Sequence, residues 1–380
     1  MGVIHEKQDR ENNPLHDNSN CDGIPIHLRK KTTDKETTAP ENANLSKRLE
    51  KLFLKTKIVC FGRYAIEVPQ EAQLIPGGTI ILSEIKTTQG GIKEKNERIA
   101  EEIEKIRKSI PTSEITYNGK GPREKSWQLQ YYDGEFAKED GYLIFKTYVI
   151  KGNYIFILDG SARKGEKIAD ALENQMVRAN NLRLRDENEV PKEPGYCIEH
   201  GFMNDNKYDS REMADAGLYF PSLPDVTFSI TSNKDAYGDY PPAEYDAKVR
   251  GELSLLARIQ QAKDQQGKNY PARTLLREGK RDVQHWHGEE SLIRRNDGVH
   301  DFEWTLVGTP RDIAYPSVLE ASMYTKVAHN MVGAAEAASL TDDEAIALWD
   351  KLLAGLKFRV KVPGAPPGSY YIDTDKPAQQ

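Results

Sequence analysis

The sequence predicts an α+β fold, organised as two similar-sized domains that are each a largely antiparallel sheet packed with helices and joined by a proline-bounded connector. Three observations lead there. At the midpoint, residues 190–203 read VPKEPGYCIEHGFM. Pro191 and Pro194 fix φ and bias the residues before them away from helix, so residues 192–195 form a bent, extended connector before a new strand begins. Second, the two halves close in the same way. A polar helix over 165–181 runs into Leu182-Arg183-Leu184-Arg185, and a helix over 342–354 runs into Leu356-Lys357-Phe358-Arg359-Val360 and then Pro363. Third, the elements between these closures recur in one order: strands, a helix, hairpin-linked strands, a helix.

Composition narrows the function classes. The chain has 380 residues, enough for two domains that each bury a core. With 38% hydrophobic and 29% charged residues, it reads as a globular protein and not as a disordered or membrane one. No apolar run approaches the ~20 residues of a membrane-crossing helix, so no membrane span is expected. The N-terminus lacks the basic and apolar regions of a secretory signal, which makes a cytoplasmic location one expectation. Net charge is -6. Residues 57–190 carry 21 basic and 21 acidic side chains, and residues 191–362 carry 21 and 27. The acid excess lies in the second half, and neither half has the basic footprint of a nucleic-acid binder.

Cysteine is sparse. Cys21, Cys60 and Cys197 include no CxxC pair, so no zinc cage of the usual spacing is available. Cys60 and Cys197 fall in the first expected strand of each half. An oxidising compartment would allow a bond between them, but a small buried thiol is the commoner use of cysteine, and the two are expected to be unjoined.

Along the chain, residues 1–44 are nearly all polar and are expected to be a disordered or weakly ordered arm. Residues 45–54 (LSKRLEKLFL) predict a short opening helix. Residues 57–69 (KIVCFGRYAIEVP) alternate in two runs around Gly62 and Arg63, as strands meeting at a turn. Pro76-Gly77-Gly78 predicts a turn, with a strand over 79–85 behind it. Ile92, Ile99, Ile103, Ile106 and Ile110 fall on one face of a helix that Pro111 ends. Strands follow over 114–117, 125–132, 142–150 and 153–158, the last two joined by the tight turn Lys151-Gly152-Asn153. In the second half, strands over 196–203 and 226–231 precede a helix over 243–261, with Tyr245, Val249, Leu253, Leu256 and Ile259 on one face. Further strands are expected over 273–277, 283–287, 291–295, 301–307 and 318–324. Thr341 and Glu344 have capping-box spacing at the head of the closing helix, Asp342 and Asp343 suit its positive end, and Ile346, Trp349, Leu352 and Leu353 form its apolar stripe. The domains are therefore 45–190 and 191–362, with a tail over 363–380.

Catalytic motifs are missing. The chain has no G-x-S-x-G elbow and no H-E-x-x-H. Residues 160–167 (GSARKGEK) approach a phosphate loop, but Glu166 stands where a lysine must reach the phosphates. His285 and His287 flank Trp286 on an expected strand, which puts both imidazoles on one face, yet no third ligand is near. No metal or cofactor is expected. Ser161, between a strand and a helix, suits a nucleophile or a helix cap equally. A hydrolase using Ser161 or paired acids in an inter-domain cleft is one alternative function, and a solute-binding protein is another.

The surface chemistry suits contact with a protein. Tyr131, Tyr132 and Asp133 end a strand, while Tyr208, Tyr237 and Tyr240 stand among Asp205, Asp209, Asp235 and Asp239 in loop-like stretches. Tyrosine offers large contact area for few lost rotamers. The candidate partner-binding residues are Tyr131, Tyr132, Asp133, Asp205, Tyr208, Tyr237, Asp239 and Tyr240.

Four motifs occur in the order of a known family: Cys60-Phe61-Gly62-Arg63-Tyr64 with residues 66–69, Tyr196-Cys197-Ile198 with Gly201-Phe202-Met203, Trp304-Thr305-Leu306-Val307-Gly308, and Ala345-Ile346-Ala347-Leu348-Trp349-Asp350. They resemble the type VI secretion lipase-immunity family, class 4 (Tli), whose members protect bacteria against a cognate Tle phospholipase effector. The resemblance spans both family domains. It implies a non-enzymatic antitoxin without a cofactor, monomeric when free, whose two domains grip the lipase. It also implies a periplasmic location. The first 56 residues depart from the family, since periplasmic members carry an export signal or a lipid-attachment cysteine, and Asn18-Ser19-Asn20-Cys21 is not a lipobox.

Overall fold

Two hairpins open the two halves of the chain, and each is completed by a strand that follows the closing helix of the other half. The computed structural model describes residues 45–163, 168–235 and 254–375. The first half comprises α1 (Lys47–Leu52), β1 (Thr56–Phe61), β2 (Tyr64–Pro69), β3 (Gln73–Ile81), β4 (Ser83–Gln89), α2 (Ile92–Ser109), β5 (Glu114–Lys120), β6 (Ser126–Tyr132), α3 (Glu135–Glu139), β7 (Leu143–Lys151), β8 (Tyr154–Ala162), α4 (Ile168–Asn181) and β9 (Leu182–Leu184). The second comprises β10 (Gly195–Ile198), β11 (Gly201–Asn204), β12 (Glu212–Tyr219), β13 (Thr227–Asn233), α5 (Leu255–Gln266), β14 (Arg273–Val283), β15 (Trp286–Arg295), β16 (His300–Val307), β17 (Val318–Tyr324), the small β18 (Val327–Ala328) and β19 (Met331–Val332), α6 (Asp342–Ala354), β20 (Leu356–Val360) and β21 (Tyr370–Ile372).

Sheet order makes the repeat explicit. One twelve-stranded sheet runs β14-β15-β16-β17-β13-β12-β3-β4-β8-β7-β6-β5. Read outward from the central antiparallel pair β12–β3, both halves give corresponding strands in the same order, a pseudo-two-fold relation of topology. The hairpins obey the same relation and exchange partners: β9 pairs with β11, and β20 pairs with β2. Between the hairpins, Gly62 and Cys197 exchange reciprocal N–H···O bonds of 2.8 Å.

That exchange overturns the expectation for the cysteines. Cys60 and Cys197 form a disulfide, with Cα atoms 5.9 Å apart and 137 residues between them in sequence. Each is the next-to-last residue of the first strand of its hairpin, and the bridge at Gly62 holds those strands side by side. The proline-bounded connector is likewise held in place. Arg359 of β20, fully buried, donates to the carbonyl oxygens of Pro191, of Glu193 at 3.0 Å and of Gly195 at 2.9 Å. The connector is thus fastened to the sheet that both halves build.

One core cluster spans the halves and includes Trp286, Trp304 and Trp349. Tyr64 from β2 stacks on Phe358 from β20 with ring centroids 5.1 Å apart. A second cluster forms where Ile99 and Ile106 of α2 meet Leu129, Tyr148 and Ile155 of the sheet, as the isoleucine spacing predicts. Pro76-Gly77-Gly78 is not a turn. It lies inside β3, where the register against β12 shifts between Ala214 and Ala216, and the chain reverses at Leu82, φ 68°. Of the helix expected over 243–261, residues 243–253 lie outside the described residues, and α5 begins at Leu255 behind the Ser254 cap.

Candidate protein-binding surface

The surface is built on Arg63. Gly62 before it has φ +50°, and a Cβ there would stand 2.7 Å from Cβ of Ala214, so this turn needs glycine and presses the first hairpin onto β12. Arg63 is carried inward and is 2% exposed. Its Nε donates to Glu212 Oε2 at 3.0 Å, its Nη2 to Glu212 Oε1 at 2.6 Å and to the Asp205 carboxylate, and its Nη1 to the Asp205 carbonyl at 2.9 Å. Burial works against this charge, but the carboxylates of Glu212 and Asp205 outweigh it and raise the guanidinium pKa. The Tyr208 ring lies 4.5 Å from the guanidinium carbon, a cation–π contact. Lys234, also buried, donates to the Tyr208 carbonyl at 2.8 Å and stands 3.9 Å from the carboxylates of Glu212 and Asp235. The β11–β12 loop is therefore held from beneath by two cations.

Between this loop, α4 and the β3–β4 turn lies a groove of about 520 Å³. Leu82 and Val177 give it an apolar wall, 45% and 42% exposed. Asn174 and Asn181 add amides, and Lys207 and Asp209 are exposed charges. Arg178, buried, lies against the groove and donates to Ser83 Oγ at 2.8 Å, the Asp159 carbonyl at 3.0 Å, Gln175 Oε1 at 2.8 Å and the Ser83 carbonyl at 3.0 Å. It makes no ion pair among the described residues, and burial pushes its pKa down to about 10. Leu82 and α4 precede the connector and the loop follows it, so both halves wall the groove.

Of the candidates named from sequence, Asp205 and Tyr208 meet at Arg63, and Asp205 also lines the groove, beside Asp209, which was not among them. Tyr131 faces the α2 core, and burial pushes its phenol up to about 12. Tyr132 packs beside Leu143 and Phe145, and Asp133 is exposed at the strand end. Four strands separate β6 from β12, roughly 24 Å at the usual inter-strand spacing, so these three residues form no common patch with the loop. Tyr237, Asp239 and Tyr240 lie outside the described residues. Arg63, Glu212 and Lys234 were missed, since nothing in a sequence marks a charged residue as buried before its partners are known.

The remaining candidates do not assemble a reaction centre. Ser161 lies inside β8 opposite Ile144, not at a strand-to-helix turn. His285 occupies the β14–β15 turn, not a strand; its Nε2 is 2.9 Å from the Ala314 carbonyl, and burial lowers its pKa. His287 Nδ1 is 2.9 Å from Asp282. Among the described residues no three His, Cys, Asp or Glu side chains converge as for a metal. His300 joins Asp342 at 2.8 Å and Thr325 Oγ1 at 3.0 Å, the residue types of a nucleophile chain, but Thr325 is fully buried and no substrate could reach it. Among the described residues no helix is long and apolar enough to cross a membrane.

Comparison with known proteins gives a consistent family. The chain is similar in structure to the apo immunity protein TplEi of the type VI secretion system of Pseudomonas aeruginosa, with TM-score 0.60 and 22% identity, covering 80% of this chain and 97% of that one. TplEi complexed with an "L" peptide gives TM-score 0.59, 22% identity and coverage of 80% and 98%. The crystal structure of a Tle4–Tli4 complex gives TM-score 0.59, 21% identity and coverage of 80% and 97%. At these identities the likeness establishes the fold. No curated protein matches the chain. Two family models match end to end, the Tle cognate immunity protein 4 N-terminal domain over residues 57–189 and its C-terminal domain over residues 189–361. The chain belongs to the Tle cognate immunity protein 4 family.

Proposed function

We propose that this protein is an immunity protein that binds a cognate type VI secretion phospholipase and holds it inactive, using both of its domains, 45–190 and 191–362. The observation that carries this function is the groove at their junction, walled by both family domains and fixed by Arg63, in a chain whose two domains match one immunity family in order. A Tle4–Tli4 complex and a peptide-bound TplEi are described for its structural neighbours, which supports a protein partner. The protein acts by occupancy without turnover, as a monomer when free. It works in the periplasm, a location supported by the Cys60–Cys197 disulfide, since such bonds persist in oxidising compartments. The test pairs this protein with the type VI secretion phospholipase it is proposed to neutralise. Exported together, the two should leave cells viable where the lipase alone kills, and the purified protein should reduce lipase activity to nothing at one-to-one stoichiometry. Phospholipase turnover by this protein itself, lost in Ser161→Ala, or no inhibition at any ratio, would refute the proposal.

A further inference from the structure

The pseudo-two-fold relation puts a second notch where the first groove has its counterpart. The β3–β4 turn corresponds to the β12–β13 connection, and the β11–β12 loop to the β2–β3 loop. There α1 and the turn after it, and not α6, the counterpart of α4, stand against Glu71 of the β2–β3 loop and Ser222 and Leu223 of the β12–β13 connection, enclosing about 520 Å³. The chemistry differs from the groove. Leu54 is 79% exposed, a large apolar side chain standing in solvent. Lys51 and Lys55 are exposed and make no ion pair among the described residues. Arg48 adds a third cation, with Nη1 donating to the Ser339 carbonyl at 2.6 Å. The acidic member, Glu71, is turned onto the wall, accepting from Ser222 N at 2.9 Å and from its Oγ.

We infer that this notch docks an acidic segment of the partner protein, with carboxylates on Lys51 and Lys55 and an apolar side chain on Leu54. The inference rests on the immunity function proposed above. Charge complementarity selects the occupant: an apolar ledge between unpaired ammonium groups favours an anionic segment and repels a basic one. The difference between the two notches also has a use. A scaffold with pseudo-two-fold topology and two equal notches would accept a partner in two orientations, and an amide-lined groove opposite a cationic notch admits one.

The test uses the full chain and the phospholipase whose toxicity it neutralises, with binding measured at low and high salt. Lys51→Glu with Lys55→Glu should weaken binding about tenfold or more, chiefly by slowing association, and should flatten the salt dependence. Leu54→Ser should weaken it about threefold, and all three residues are exposed, so melting temperatures should not move. Tight wild-type binding that both variants retain would overturn the notch while leaving the immunity function standing. A wild-type protein that fails to bind the lipase removes both. Two further outcomes would also overturn it: loss of binding to phosphatidylglycerol vesicles in the double variant with lipase affinity unchanged, which assigns the notch to a membrane surface, or a rise in lipase affinity on deleting residues 1–44, which assigns it to this chain's own arm.

Discussion

Arginine decides much of this structure, and it is where residue-level reading of the sequence fails. Leu182-Arg183-Leu184-Arg185 alternates as though its leucines faced the core, yet Leu184 is 39% exposed while Arg185 is buried and donates to the carbonyls of Gly201 and Ile198, each at 3.2 Å. Arg359 in LKFRV likewise serves the connector. Alternation identifies the two faces of a strand, but which face takes a cation depends on carbonyl groups up to 168 residues away. Arg359→Met should therefore cost about 3 kcal/mol or more in denaturant unfolding, because three carbonyls, two of them in buried hydrogen bonds, lose their donor. A loss under about 1 kcal/mol would show that the connector holds without it. Carboxylates at the closing helix supply a pH dependence. A hydrogen bond from Ser46 is the largest effect on the Glu344 carboxyl and, with the Thr341 backbone bond beside it, holds the group below its ordinary value against burial. A carboxyl whose folded pKa is depressed stabilises the fold above the unfolded value of about 4.3, and that stabilisation is lost as pH falls through the folded value. The melting temperature should accordingly drop more steeply below about pH 4 in wild type than in Glu344→Gln, and parallel curves would contradict this.

Among the elements, those governed by local signals were legible and those created by long-range packing were not. The closing helix has the bounds Asp342–Ala354 and the Thr341–Glu344 capping box that its sequence indicates, and β7 and β8 join at Lys151 and Tyr154 around Gly152 as expected. Strand β12, EMADAGLY, gave no signal because alanine, aspartate and glycine are poor strand formers. It needs small residues: Ala214 lies under the Gly62 turn, and a Cβ on Gly77 of β3 would come within 2.6 Å of Cβ of Asp215. The disulfide was misjudged for a related reason, since the bridge between Gly62 and Cys197 that sets the two hairpins side by side joins positions far apart in sequence. Thiol titration of the unfolded, unreduced protein should find one free cysteine of the three. Cys60→Ser should lower stability by about 2–5 kcal/mol, the range for a bond closing so long a loop. Three titratable thiols would deny the bond.

At the scale of the molecule, the duplicated plan was legible in element order, while the interlock was not, because a repeat in sequence does not say whether its copies pair within themselves or with each other. A polypeptide of residues 57–190 keeps β9 without β11 and β2 without β20, and residues 191–362 lack the same pairs from the other side. Neither piece alone should unfold cooperatively, whereas the two produced together should associate and recover the full far-ultraviolet spectrum; a stable, cooperative single half would refute the interlock. Such a scaffold suits an inhibitor, since a binding surface fixed before encounter loses little conformational entropy on gripping its target. The most direct test is calorimetric titration of the phospholipase with the full chain and with Val177→Asp, which places a charge on the exposed apolar wall of the groove. One-to-one binding by wild type, weakened about tenfold or more in a variant that melts at the same temperature, is the predicted result. Equal affinity of the two proteins, or no binding by wild type, would contradict it.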